Sequence, residues 1–241
     1  MARFDQKYHS ISKLKIINYL IFIFFCLYFF IGINIYKDYG ITTDEPFQRT
    51  AGFYWYLWII NNFSNDISNL DYLKNTFNKM EWSQNMLKGT TFLEYGAIFD
   101  LFAVFLESKL NIKNSQDFYY LKHFLNFSTF YISSICFFYL IKFRFKNKLL
   151  ALIGVFFYIT SPRIFAESFY NCKDIIFMSL AVFSIFFGMK VLKNIILFSF
   201  FSALATDVRI MGIFFIFLFL IFFIFESIEI KKNLRKKLSL F

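Results

Sequence analysis

Six stretches of this chain are almost free of charged residues: 16–36, 118–141, 149–166, 175–189, 195–205 and 211–225. A helix crosses a bilayer core of about 30 Å with about 20 apolar residues, and several of these runs approach or exceed that length. With 58% hydrophobic residues, 41 of them Phe, the chain carries far more apolar surface than a soluble fold of 241 residues can hide. The pattern predicts an all-α integral membrane protein. The Phe, Ile, Asn and Lys richness also fits an AT-rich genome, so individual Phe residues carry little weight. The run at 16–36 is too long for a signal-peptide core, and no small-residue cleavage site follows it. It reads as a retained first span after a cytoplasmic segment, 1–15.

The net charge of +10 invites a nucleic-acid partner, but its placement argues otherwise. Basic residues gather in short segments between apolar runs: Arg3/Lys7/Lys13/Lys15, "KFRFKNK" at 142–148, Lys190/Lys193 and "KKNLRKK" at 231–237. A weaker apolar run, 92–106, contains Glu94 and Asp100. If it lies flat outside the membrane, every basic cluster falls on the cytoplasmic side, as the positive-inside rule requires. The stretch 37–117 then forms the first external loop, with seven Lys/Arg against ten Asp/Glu. The result is about six transmembrane helices, interfacial helices in the first external loop, and a basic cytoplasmic tail at 229–241. The short run 195–205 spans only by borrowing 191–194 and letting lysines snorkel; the other reading is a bent or re-entrant pair.

The external face is then 37–117, "SPRIFAESFYNCKD" (161–174) and "ATDVRIMG" (205–212), and both prolines of the chain, Pro46 and Pro162, lie in it. Phe47, Ala51, Trp55, Trp58 and Ile59 recur at helical spacing beside Gln48 and Arg49, which predicts an interfacial helix with its aromatics towards lipid. Asp44 and Glu45 stand where the chain leaves the first span. They read either as a solvated helix end or as a general base at the membrane surface, its pKa raised by partial desolvation. Arg163, Glu167, Lys173 and Asp174 read as a turn neutralised by its own ion pairs, or as cations gripping an anionic head group. Asp207 and Arg209 interrupt an apolar stretch, either as a mutual ion pair or as a second phosphate contact. Cys26 and Cys136 sit in apolar runs and Cys172 stands alone in a loop, so no disulfide framework or thiol metal site is indicated. His9 and His123 are far apart, and no zinc-type spacing exists.

Taken together, "TDEP" after the first span, "SPRIFAESFYNCKDIIF" and "LATDVRIMG" resemble the GT-C glycosyltransferases. The pattern is most similar to glycosyltransferase family 39, the dolichyl-phosphate-mannose protein mannosyltransferase type, over about residues 15–228. The resemblance implies transfer of a sugar from a polyprenyl- or dolichyl-phosphate donor to a protein or glycan hydroxyl, on the external face and with inversion. It implies Asp44 as catalytic base with Glu45 beside it. Arg163, Lys173 and Arg209, with Asp174, would hold the lipid phosphate, and Glu167, Asn171 and Asp207 would line the site. The segment 92–106 resembles juxtamembrane helices of that loop. No cofactor is implied, and a divalent metal stays open.

The chain is shorter than members of that family and corresponds to their N-terminal module, within 16–228. Cys172 stands where proline is expected, and Glu167 where histidine is frequent. The partners implied are membrane lipid, the lipid-linked sugar and the acceptor, with no nucleic acid, in a bacterial inner membrane. The other class of reading is a non-catalytic membrane protein: an inactive relative, an accessory subunit, or a lipid or solute transporter. Transporters carry inverted repeats and Gly/Pro-broken helices, neither of which is evident in the sequence.

Overall fold

A computed structural model describes residues 2–63, 70–88, 96–189 and 191–238, and every regular element among them is helical. Helix α1 (Ala2–Ile35) leads into α2 (Glu45–Phe63), α3 (Leu70–Asn78), α4 (Ser83–Leu87) and α5 (Ile98–Lys109). Then come α6 (Ser115–Phe145), α7 (Lys148–Thr160), α8 (Pro162–Tyr170), α9 (Asp174–Gly188), α10 (Val191–Val208) and α11 (Ile213–Leu238). Glu94 and the start of the run 92–106 lie outside the described residues; its part from 98 to 106 belongs to α5.

Among the described residues, Lys15–Ile35 and Ser115–Phe145 are long and apolar enough to cross a membrane. Helices α7 and α8 make a third if the pair, bent by 66°, is one broken span. The apolar run 149–166 is therefore not one straight helix, and the absence of broken helices expected from the sequence does not hold. The cause is Pro162: it lacks an N–H and clashes with the preceding turn in a helix interior, but suits the first position of a new helix. The segment 161–174 is thus mostly helix. A second irregularity lies at Asn194, whose backbone (φ −124°, ψ 30°) bends α10. The basic segment 231–237 continues α11 without a break.

Local chemistry sets the sharp turn between α6 and α7. Lys146 takes the left-handed conformation (φ 52°) that ends α6, and the Asn147 side chain accepts hydrogen bonds from the Leu149 and Leu150 N–H groups at 2.9 and 3.1 Å. An Asn at this position satisfies amides that the first helical turn leaves without partners. The turn sends the chain straight back, and Lys148 Nζ reaches Asn18 Oδ1 of α1 at 2.6 Å. The far ends of the same helices meet through rings: Tyr39 stacks on Phe169 (4.6 Å) and Phe169 on Phe127 (5.1 Å). Helix α11 returns along α9 and α10 through Phe177–Phe215 and Phe198–Phe219. Large apolar side chains stay exposed along α1 and α11, among them Phe22, Phe30, Phe214 and Phe217. A continuous apolar exterior of this kind suits lipid rather than water.

Candidate functional site

Three segments far apart in sequence converge at the end of the bundle where α1 finishes: 42–49, 167–174 and 205–209. The helix α2 is present with Trp58 and Ile59 outward as expected, but Ala51 of the same set is buried. Glu45, Gln48, Arg49 and Gly52 point inwards, while Trp58 and Ile59 stay exposed. Polar partners on α5 and α6 explain why Glu45, Gln48 and Arg49 are buried.

Arg49 pairs with Glu107, donates to Ser115 Oγ (3.1 Å) and lies over the Phe118 ring at 4.2 Å. Burial pushes the Glu107 carboxyl above its usual value even with Arg49 beside it. Gln48 Oε1 accepts from Lys122 Nζ (3.2 Å) and from the Cys172 thiol (2.7 Å). Lys122 Nζ also lies 2.8 Å from Asp100 Oδ1. Gly52 lets α2 approach α5 closely: a Cβ there would sit 2.6 Å from the Asp100 carbonyl oxygen.

The two acids of the 44–45 pair do different things. Glu45 is 0% exposed; its Oε2 accepts from the Thr42 N–H at 2.8 Å and its Oε1 lies 3.1 Å from His123 Nε2. Asp44 is exposed, and its carboxylate has no hydrogen bond or ion pair among the described residues. Its carbonyl oxygen accepts from Gln48 N at 3.0 Å, which starts α2, so the carboxylate stands at the positive end of the helix dipole.

A rim of charged groups continues along the same end. Arg163 Nε donates to Glu167 Oε1 at 2.7 Å. Asn171 Nδ2 reaches Glu167 Oε2 and Asp174 Oδ2, both at 3.2 Å, while its Oδ1 accepts from the Lys173 and Asp174 N–H groups. Asp174 in turn pairs with Arg209. A mutual pair of Asp207 with Arg209 does not form; instead Asp207 Oδ2 accepts from the Ile98 N–H at 3.0 Å. Lys173 is half-buried, and that burial holds its ammonium below the ordinary lysine value, with Asp100 and Arg209 in electrostatic reach. The structure therefore joins Arg163, Glu167, Asn171, Asp174 and Arg209 in one polar chain, with no contact to Asp44.

A cavity of about 870 Å³ opens beside this rim, lined by Trp55, Leu101, Thr206, Asp207 and Arg209 among others. Gly96 closes one wall against the Asp207 carbonyl, at a distance where any Cβ would overlap backbone. Gly96→Ala is expected to push the start of α5 off the 205–209 segment and cost about 1–3 kcal/mol, read as a lower melting temperature of the purified protein. Among the described residues, no three His, Cys, Asp or Glu side chains are placed to hold a metal ion.

Cys172 is not a lone loop thiol: it is buried, and burial pushes its pKa up to about 12. Thiolates, not thiols, react with maleimides. In a Cys26→Ser/Cys136→Ser chain at pH 8, labelling of Cys172 is expected only after denaturation, which mass spectrometry reads directly.

Lys122, His123, Asn126, Gln48, Arg49, Asp100 and Glu107 were not among the residues singled out for the site. One signal did exist: Lys122, His123 and Asn126 fall on adjoining faces of one turn inside the apolar run 118–141, where polar groups are expensive without partners. Asn126 Nδ2 uses that position to donate to the Ser168 carbonyl at 3.1 Å, near the end of α8. No family model, curated protein or solved structure matches this chain.

Proposed function

We propose that this chain transfers a sugar from a polyprenyl-phosphate donor to a hydroxyl acceptor at the external face of a membrane. In this reading α1, α6, the α7–α8 pair, α9, α10 and α11 make six crossings with both ends inside, in a bacterial inner membrane. The observation that carries it is the convergence of the three motif segments on one end, with an unpartnered carboxylate, Asp44, standing beside a buried cluster of ion pairs and hydrogen bonds.

The chemistry follows from the groups present. A sugar or Ser/Thr hydroxyl is a weak nucleophile until a base shares its proton. Asp44 accepts that proton as the oxygen forms its bond to the anomeric carbon. The bond from that carbon to the phosphate oxygen breaks in the same step, inverting the centre. Charge grows on the departing lipid phosphate, and fixed cations nearby lower the barrier. Arg163, Lys173 and Arg209 supply them. Glu45 is a positioning residue in this scheme: through Thr42 and His123 it fixes the first turn of α2 and hence Asp44. The Arg209–Asp174 pair is solvent-exposed, and such pairs contribute about 0–1 kcal/mol, so a phosphate can share Arg209 at little cost.

Two observations favour a second reading, a non-catalytic membrane protein or transporter. Arg163 and Arg209 already have carboxylate partners, and the α7–α8 break resembles the interrupted helices of transporters. The experiment that separates the two is sugar transfer from radiolabelled polyprenyl-phosphate sugars in membranes expressing the chain. Transfer above empty-vector membranes is expected; none with any donor sinks the enzymatic reading.

A further inference from the structure

The opposite end of the bundle holds a larger cavity, about 930 Å³, between α1, α6, α7, α9 and α10. Tyr139, Phe143 and Phe186 form apolar walls, and Lys142, Lys146 and Lys148 stand around it. Among the described residues, none of the three lysines pairs with a carboxylate. Lys142 rests over the Tyr139 ring (5.4 Å), Lys148 is held by Asn18, and Lys146 projects from the exposed left-handed turn.

We propose that this cavity binds the headgroup of an anionic phospholipid, its phosphates on the three lysines and the upper part of its acyl chains against the aromatic walls. Among the described residues no acid pairs with these three ammonium groups, and an incoming anion would neutralise the charge they bring to one cavity. The aromatic walls and a volume far beyond that of a phosphate ion favour a phosphate that carries hydrocarbon. Basic pockets between helices on the cytoplasmic side take such headgroups. The site rests on the bilayer placement proposed above, but not on sugar transfer, since it lies at the other end of the molecule.

The test is native mass spectrometry of the full chain in detergent, titrated with cardiolipin, phosphatidylcholine and, separately, inorganic phosphate. Cardiolipin is expected to be retained about tenfold more tightly than phosphatidylcholine, and millimolar inorganic phosphate is expected not to displace it. The preference disappears in Lys142→Gln/Lys146→Gln/Lys148→Gln and survives in the corresponding triple arginine variant. Lys146→Asn suits the left-handed backbone and sits on an exposed turn, so it keeps the fold whatever the triple variant does; about a fivefold weaker preference is expected from it. Lys109→Gln/Lys113→Gln, at the other end, leaves the preference intact.

Equal retention of the two lipids, an unchanged preference in Lys146→Asn, or an equal loss in the Lys109/Lys113 variant overturns the site. Displacement by inorganic phosphate overturns the lipid as its occupant. None of these outcomes depends on whether the chain transfers sugar.

Discussion

Replacing Lys122 by methionine is expected to destabilise the folded protein by about 3–5 kcal/mol, the cost of breaking a buried ion pair from one side. Lys122 is fully buried, with its ammonium shared between Asp100 and Gln48. Methionine fills much of the same volume, so the loss is electrostatic: it strands the carboxylate of Asp100, itself buried. A double variant, Lys122→Met/Asp100→Leu, removes both charges and is expected to recover most of the stability, because an apolar replacement of a whole buried pair is often neutral. Thermal unfolding of the four proteins in one detergent, followed by circular dichroism, reads the cycle. Additive losses in the double variant would show that the pair carries no coupling.

The second large effect is expected at Asp44. Asp44→Asn removes the base and keeps the size of the side chain, so the initial rate of sugar transfer should fall about 10²–10⁴-fold. Its melting temperature should move little, since the carboxylate is exposed and loses only its interaction with the helix dipole, about 0.3–1 kcal/mol. Glu45→Gln should behave differently, lowering stability and transfer together, because it disturbs the buried contact to His123. The discriminating quantity is the ratio of rate loss to stability loss in each variant. If Asp44→Asn keeps full transfer while Glu45→Gln abolishes it without loss of stability, the roles given to the two acids are reversed.

Much of this architecture was legible from hydropathy. The runs at 16–36 and 118–141 became α1 and the core of α6 because a long, mostly apolar sequence leaves the backbone no option but a helix in lipid. Average hydropathy is blind to a single residue, and that is why 149–166 read as one span although Pro162 stood inside it. The same averaging hid Lys122 and His123, two of the costliest residues in the molecule, within a run that scored as apolar. Helical spacing did place α2, but spacing cannot say which face finds partners. Arg49 and Gln48 turn inwards only because Glu107 and Lys122 lie across from them, 58 and 74 residues away in sequence. Asp174 likewise meets Arg209 over 35 residues, a pairing that no local pattern contains.

The buried polar spine also bears on how such a chain is made. Helix α6 leaves the ribosome with Lys122, His123 and Asn126 in its early turns, and such groups oppose membrane insertion until they find partners. Asp100, Glu45 and Gln48 are already synthesised by then, in the preceding segment. Docking of α2 and α5 against α6 converts an awkward recruit into a neutralised one, so the first excursion serves its own downstream neighbour as a covalently attached chaperone. A chain deprived of the segment between α1 and α6 should stall at α6, long before any question of activity arises.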